Sequence, residues 1–452
     1  MPKYTTPSIY VDEISNLPPS VGEVASAIPA FLGYTEKAPG DINDISPVPT
    51  RISSLSEYNQ LFGGPPESSV SVKWKKVAGK FKLDINQPEV VHTLYYALKM
   101  FFDNGGGSCY IVSVGRYHSQ KSFADFEAGL TALKHEEEPT LIVLSEACGL
   151  EQPGDYYTIC RQALEQCSTM TNRFCILDVL SDDINGKGFR DENGIGEKNL
   201  KHGAAYYPFL RTTQRALVPE DRIAVIERAT RDTKTLHEIG QSDPELYKAI
   251  TTALTDPKYT LILPPSSAIA GVYAQVDRER GVWKAPANIV LMSVLKPMIK
   301  ITAEDEDILN VSPDGKSING IRSFVGKGTL VWGARTMAGK DNEWRYISIR
   351  RLFNMIETSA IKASYFVVFE PNDASTWLKV KGILESYLYG LWQQGALAGK
   401  TPEEAYFVHV GLGITMTTLD ITEGKLIVEL GVAAVRPQEF ITLKLVHKLN
   451  KV

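Results

Sequence analysis

Residues 109–180, CYIVSVGRYHSQKSFADFEAGLTALKHEEEPTLIVLSEACGLEQPGDYYTICRQALEQCSTMTNRFCILDVL, decide the fold class. The runs CYIVSV, TLIVL and RFCILDVL are apolar and rich in β-branched or aromatic residues, which predicts strands. Between them, FADFEAGLTALK and DYYTICRQALEQCS carry their apolar residues at helical spacing. Strands alternating with helices imply a largely parallel or mixed sheet covered by helices, an α/β (α+β) architecture.

Upstream, AIPAFLGYT (27–35) reads as a buried strand entering this domain. VVHTLYYALKMFFDN has a helical stripe of Val91, Leu94, Leu98 and Phe101 that stops at Gly105. Between about 36 and 88 the chain is turn-rich, with Gly63-Gly64-Pro65-Pro66 and a lysine patch at Lys73, Lys75, Lys76, Lys80 and Lys82. At the start, SIYVDEI (8–14) predicts a strand that Pro18, Pro19 and Gly22 detach from the rest. Downstream, PEDRIAVIERATRDTKTLHEIG and DPELYKAITTALTD are charged and amphipathic, and predict a helical hairpin inserted at about 211–260.

A second α/β unit begins near residue 330. LVWGARTM and YFVVF predict strands, and WRYISIRRLFNMIETSAI leads into a helix. STWLKVKGILESYLYGLWQQG is the strongest helix, with Val380, Ile383, Leu384, Tyr387, Leu388 and Leu391 in one stripe ended by Gly395. YFVHVG, ITMTTLDI, KLIVELGVAAV and EFITLKLV close the chain as predicted strands. The resulting division is 1–20 arm, 21–330 outer domain with the insertion, 331–436 inner core and 437–452 arm.

The motifs of catalysis are not formed. The glycines Gly105-Gly106-Gly107 follow a helix and precede a strand, the reverse of a phosphate loop, so a helix C-terminus would face the anion. Gly315-Lys316-Ser317 has the tail of a nucleotide loop, but its leading glycine would fall on Asn310. The histidines lack zinc spacing, the five cysteines include no C-x-x-C pair, and no G-x-S-x-G elbow occurs. Glu304-Asp305-Glu306-Asp307 reads as a polar surface turn. No metal, cofactor or catalytic residue is therefore assigned, and the chain reads as non-enzymatic. A net charge of −5 provides no global field toward nucleic acid. The start of the chain lacks the pattern of a secretory signal, and no run is long and apolar enough to insert directly into a membrane.

Several blocks together resemble the bacteriophage tail sheath protein family. AGVYAQVDRERGVWKAPAN (270–288) is similar to its signature stretch, and GKGTLVWGARTM (326–337) to the next block. ISIRRLFNMIE, FEPND, LYGLWQQGALAG and EEAYFVHVG follow in the family's order. The ending, EGKLIVELGVAAVRPQEFITLKLVHKL, resembles its closing strands, and PSIYVDEI its opening, with Ser8 where glycine is usual. The lysine segment at 73–82 and the insertion at 211–260 fit least well.

The resemblance implies a subunit that polymerises helically around an inner tube and contracts, lending its terminal arms to neighbours as extra strands. Ile9, Tyr10, Val11, Phe440, Ile441, Leu443 and Leu445 are the candidates for that exchange. On the helix 375–394, Lys379, Lys381, Glu385 and Gln393 are candidates for inner-tube contact. Implied partners are further copies of the chain, the tube protein, baseplate and terminal cap proteins, and sheath paralogues. Assembly would occur in the bacterial cytoplasm, with the product a phage virion tail or an extracellular or anchored injection particle. The alternatives are a nucleotide-binding α/β enzyme and a monomeric binding protein.

Overall fold

The structure is a computed structural model that describes residues 24–39, 47–86, 88 and 90–437. The chain forms two compact units. Among the described residues the larger holds 25–355 and 436–437, and the smaller holds Val24 and 356–435.

In the larger unit, β1 (Pro29–Thr35), β2 (Thr50–Ile52) and α1 (Leu55–Phe62) precede a hairpin of β3 (Val70–Val77) and β4 (Lys80–Ile85). Next come α2 (Leu94–Asp103), β5 (Cys109–Arg116), α3 (Phe123–Leu133), β6 (Leu141–Val143), α4 (Pro153–Met170) and β7 (Phe174–Asp178). After a short α5 (Lys187–Arg190) lie β8 (Gly203–Tyr207), β9 (Leu210–Thr212), β10 (Ile223–Glu227) and β11 (Thr233–Thr235). Then follow α6 (Leu236–Ser242), α7 (Pro244–Leu254), β12 (Ile262–Leu263) and α8 (Ser266–Arg280). The unit continues through β13 (Ile289–Val290), β14 (Val294–Pro297), α9 (Ala303–Asn310), β15 (Ile318–Phe324) and β16 (Gly328–Val331). The helix α10 (Ile347–Ala363) carries the chain into the smaller unit.

The main sheet has nine strands in the order β13-β16-β15-β8-β7-β6-β1-β5-β2. Its centre, β5-β1-β6-β7-β8, is parallel throughout. Every residue of β1 and β7 is buried, as expected for a parallel sheet covered on both faces. Side chains of β1 alternate between two cores. Ala30, Leu32 and Tyr34 join Phe126, Leu130 and Leu164 of α3 and α4, while Phe31 meets Phe101 and Tyr273 of α2 and α8. The strands and helices read between 109 and 180 form at those places.

A doubly wound sheet of this order would place a ligand at its switch point, in the crevice beyond the carboxyl ends of β1 and β6. Here the chain's own side chains fill it. The buried Glu146 carboxylate accepts from the Tyr34 amide at 3.1 Å, meets His92 Nδ1 at 3.1 Å and lies 3.6 Å from Lys121 Nζ. The fit requires Gly33, where a Cβ would stand 2.2 Å from Glu146 Oε2. Next to it, β7 ends on Asp178, whose carboxylate takes the Ser266 amide at 2.7 Å and its hydroxyl at 2.5 Å, so it caps α8.

Complete burial pushes the Asp178 carboxyl up from 3.8 to about 7. A carboxyl raised in the folded state contributes stability that is fully present below its unfolded value and lost as pH rises through the folded one. The window is therefore about pH 4 to 7. The substitution Asp178→Asn keeps one acceptor for the Ser266 amide and supplies a donor for its hydroxyl. It is expected to match the parent near pH 4 and to exceed it by roughly 1–3 kcal/mol at pH 8. Urea melts at the two pH values check this. An equal stability difference at both would contradict the assignment.

Residues 211–260 depart from the expected helical hairpin. IAVIE forms β10, which pairs in parallel with β3 and antiparallel with β11, while α6 and α7 are α-helical. The lysine segment supplies the hairpin β3–β4, so the two poorly matched stretches meet in one four-stranded sheet, β11-β10-β3-β4. They share a core of Val70, Val72, Ile85, Ile223, Val225, Leu236, Ile239, Leu246 and Ile250. The reason is the period of the apolar residues. Ile223 and Val225 are two apart and face one side of a sheet. Where the 211–260 stretch leaves and re-enters the main fold, β9 pairs antiparallel with β12.

The division between units also falls later than residue 330, between Met355 and Ile356. LVWGARTM is a strand only over its first part, β16, which pairs with β15 and β13 in the main sheet and so belongs to the larger unit. Two of the motif blocks meet inside that unit. Arg351 of ISIRRLF reaches Asp277 of AQVDRER, Nη1 to Oδ1 at 3.0 Å and Nη2 to Oδ2 at 2.5 Å, with both side chains buried. Arg351 also donates to the Ser26 carbonyl at 2.9 Å and lies over the Tyr273 ring.

Candidate assembly interface

The smaller unit is built on α11 (Ala374–Gln393), followed by α12 (Pro402–Ala405), β17 (Tyr406–Val410), α13 (Thr418–Thr422) and β18 (Val428–Val432). FEPND starts the helix. Asp373 is its N-cap, accepting from the Thr376 amide at 3.0 Å, and Asn372 accepts from the Trp377 indole at 2.7 Å. Asn372 also donates to the Lys425 carbonyl, tying the turn before β18 to the helix start. The expected stripe Val380, Ile383, Leu384, Tyr387, Leu388 and Leu391 is buried. Gly395, with φ +79°, ends it in the left-handed region that favours glycine.

β17 and β18 pair antiparallel, Tyr406 opposite Val432, Val408 opposite Leu430 and Val410 opposite Val428. Val408 is buried, and Phe407 on the other face covers Gly431 and stacks on His409. This sheet has two strands only among the described residues, so each presents an unpaired edge. Two strands alone are marginal in water, and open edges invite further strands.

Two predicted strands are not formed in this unit. YFVVF becomes a 3-10 turn, Tyr365–Val367, with Tyr365, Phe366, Val368 and Phe369 exposed. Phe369 is fully exposed at φ +73°. ITMTTLDI becomes a turn and α13, because Thr417 and Asp420 close a capping box at its start. Exposed apolar groups gathered in a small unit mark an interaction surface.

The four helix residues singled out from the sequence do lie on α11. Lys379 and Gln393 are exposed, whereas Lys381 and Glu385 are half-buried and form an ion pair at 3.7 Å. Sequence reasoning missed the middle of the exposed face, which holds Leu378, Gly382 and Tyr389. A Cβ on Gly382 would meet nothing within 4 Å. A glycine inside a helix destabilises it by about 1 kcal/mol, which is offset where another backbone approaches closely. Apolar residues and a glycine at positions 378, 382 and 389, on the side of α11 away from its buried stripe, were the available signal. The exchange candidates Ile9, Tyr10, Val11, Phe440, Ile441, Leu443 and Leu445 lie outside the described residues. Among the described residues no group of His, Cys, Asp and Glu is placed to hold a metal, and no helix is long and apolar enough to cross a membrane.

Known proteins match this arrangement. A family model of the phage tail sheath C-terminal domain covers residues 339–448. The tail sheath protein of Enterobacteria phage T4 is 28% identical over 128 residues, 28% of this chain and 19% of that protein. The matched region thus spans about a fifth of the curated relative's length. Correspondence with solved structures is end to end. A chain of the anti-feeding prophage baseplate is 32% identical with a TM-score of 0.68, covering 99% of this chain and 100% of that one. A chain of the anti-feeding prophage helical sheath in the contracted state is 32% identical with a TM-score of 0.65, again over 99% and 100%. With that full-length likeness, and with the phage sheath domain falling across the unit that holds the open two-stranded sheet, this chain belongs to the contractile tail sheath protein family.

Proposed function

We propose that the chain is a structural subunit, not an enzyme, whose copies polymerise helically around an inner tube and contract to drive that tube through a target envelope. The open-edged β17–β18 sheet carries this reading, because it needs strands that its own described chain does not supply. Terminal arms of neighbouring copies would add to its edges, with ladder hydrogen bonds providing affinity and alternating side chains providing register. The sequence of 440–445 alternates Ile441, Leu443 and Leu445 with Thr442 and Lys444, a period that would half-bury the segment if it were added as a strand. A head-to-tail contact of this kind propagates as a helix when its rotation does not close.

The face of α11 around Leu378, Gly382 and Tyr389, flanked by Lys379 and Gln393, is the proposed seat of the tube protein. Baseplate and terminal cap proteins would hold the two ends of the extended array. Subunits linked by arms could rotate and repack as rigid bodies, so contraction draws on interfaces gained over many copies. Assembly is proposed to take place in the bacterial cytoplasm, and the finished sheath to be part of a phage tail or an injection particle.

Sedimentation velocity of the purified chain over a concentration series tests the reading against a monomeric binding protein. Above a threshold concentration, species far larger than the 50.0 kDa chain are expected. A single monomeric boundary at every concentration would overturn it.

A further inference from the structure

The module formed by 67–86 and 217–259 lies outside the stretch matched by the sheath domain model, 339–448, and four of its lysines share one face of its sheet. In β3 and β4, alternation sends Val72, Trp74, Phe81 and Leu83 toward α6 and α7. The opposite, outward face of the sheet receives Lys73, Lys75, Lys80 and Lys82, all exposed. Lys75 stands directly opposite Lys82, a like-charge pair that weakens a sheet. Lys73 faces Asp84, but Asp84 is taken by Arg228 of the neighbouring strand's end. On the other side of the module, Glu220, Asp221, Glu238 and Glu245 are exposed around α6 and α7 and outnumber the exposed Lys234 and Lys248 there. Glu220 accepts from Tyr247 of α7 at 2.7 Å, which places it on the helical face.

We propose that this module docks copy to copy, the basic sheet face of one subunit binding the acidic helical face of the module on another. The inference rests on the reading of the chain as a polymerising subunit, and adds a second contact to the strand exchange. Charge complementarity selects the occupant. The chain carries a net −5, so its basic sheet face is a local exception whose counterpart is present on every copy. The two faces lie on opposite sides of one small sheet-and-helix layer, so the contact is head-to-tail and can propagate along an array whose rotation does not close. A weak electrostatic contact suffices there, because arms that already join the copies raise its effective concentration. The Lys75–Lys82 opposition then has a reason, since it is relieved only when an acidic surface arrives.

The test uses the full chain and reads the salt concentration at which assemblies dissolve, together with the threshold concentration for assembly. Lys75→Glu places an acid opposite Lys82, so the folded subunit is expected to melt no lower than the parent. Its assemblies should nonetheless dissolve at lower salt, and the threshold should rise about threefold for one or two exposed pairs lost per copy. Combining Lys75→Glu and Lys82→Glu with Asp221→Lys and Glu245→Lys on the same chain exchanges two charges between the faces, and is expected to restore most of the parental behaviour. Unchanged salt dependence in Lys75→Glu, or failure of the exchanged chain to recover, would overturn the docking. Loss of binding to a soluble polyanion such as heparin with assembly unaffected would likewise overturn it and assign the face to an anionic polymer. A parent that never assembles removes the polymerisation reading itself, an outcome distinct from parental assembly that ignores these charges.

Discussion

A chain lacking residues 438–452, and separately one lacking residues 1–17, is expected to fold normally and to form no sheath. The described cores of the larger unit draw on residues 28–347 and the stripe that α11 buries on residues 376–391, so melting temperature should move by no more than about 2 °C. Assembly should respond very differently. An arm that adds to an open edge buries two or three large apolar side chains, at roughly 1.5–3 kcal/mol each before ordering costs. Even on the order of 4 kcal/mol net per junction is about a thousandfold in the association constant. In a helical array every copy both gives and receives an arm, so one deletion removes a junction from every subunit. Sedimentation of each deletion as a monomer, beside a parent that forms large species, is the expected result. Normal sheaths from either deletion would remove strand exchange from the account.

The second large effect concerns the interior. Arg351→Ala is expected to destabilise the larger unit by about 3–5 kcal/mol, because it leaves the Asp277 carboxylate buried without its counter-charge. The Ser26 hydroxyl still donates to Asp277 at 2.5 Å, which accounts for only part of what the guanidinium supplied. The Ser26 carbonyl keeps the Thr140 hydroxyl as a donor but loses the guanidinium, and the Tyr273 ring loses the cation above it. The double substitution Arg351→Met with Asp277→Leu, which removes both charges, should recover most of the loss. Urea unfolding of the two variants separates these outcomes. A loss below about 1 kcal/mol for Arg351→Ala would show that water or another cation already compensates the carboxylate.

The parallel core was legible because its strands are buried on both faces and therefore read as continuous apolar runs between amphipathic helices. The helix α11 was legible for the same reason, its six buried stripe residues being spaced for one face. The inserted module was not. RIAVIERATRDTK has charges at spacings that suit a helix, and what makes IAVIE a strand is parallel pairing with β3, far away in sequence. The β3–β4 hairpin was hidden by its turn. Ala78 and Gly79 both have positive φ, at 48° and 79°, where asparagine-glycine would have announced the reversal. The period-2 series Val70, Val72, Trp74 and Phe81, Leu83, Ile85 was the signal that could have found it.

The interface was legible only in part, for a different reason. YFVVF has the composition of a strand yet is an exposed turn in the subunit. Strand composition expresses itself only where a neighbouring strand is present to complete the ladder. On α11, attention to charge picked out Lys381 and Glu385, which satisfy each other, and passed over Leu378, Gly382 and Tyr389. If other copies complete this surface, as proposed, apolar residues belong where the rules for a single soluble domain would place polar ones.

The central claim, that copies of this chain build a sheath through their own terminal strands, is tested most directly by negative-stain electron microscopy of the purified full-length protein beside the two arm deletions. Hollow, striated cylinders from the full chain, with only dispersed small particles from either deletion, are the predicted images. Dispersed particles from the full chain at every concentration and salt, or cylinders of the same appearance from the deletions, would contradict it.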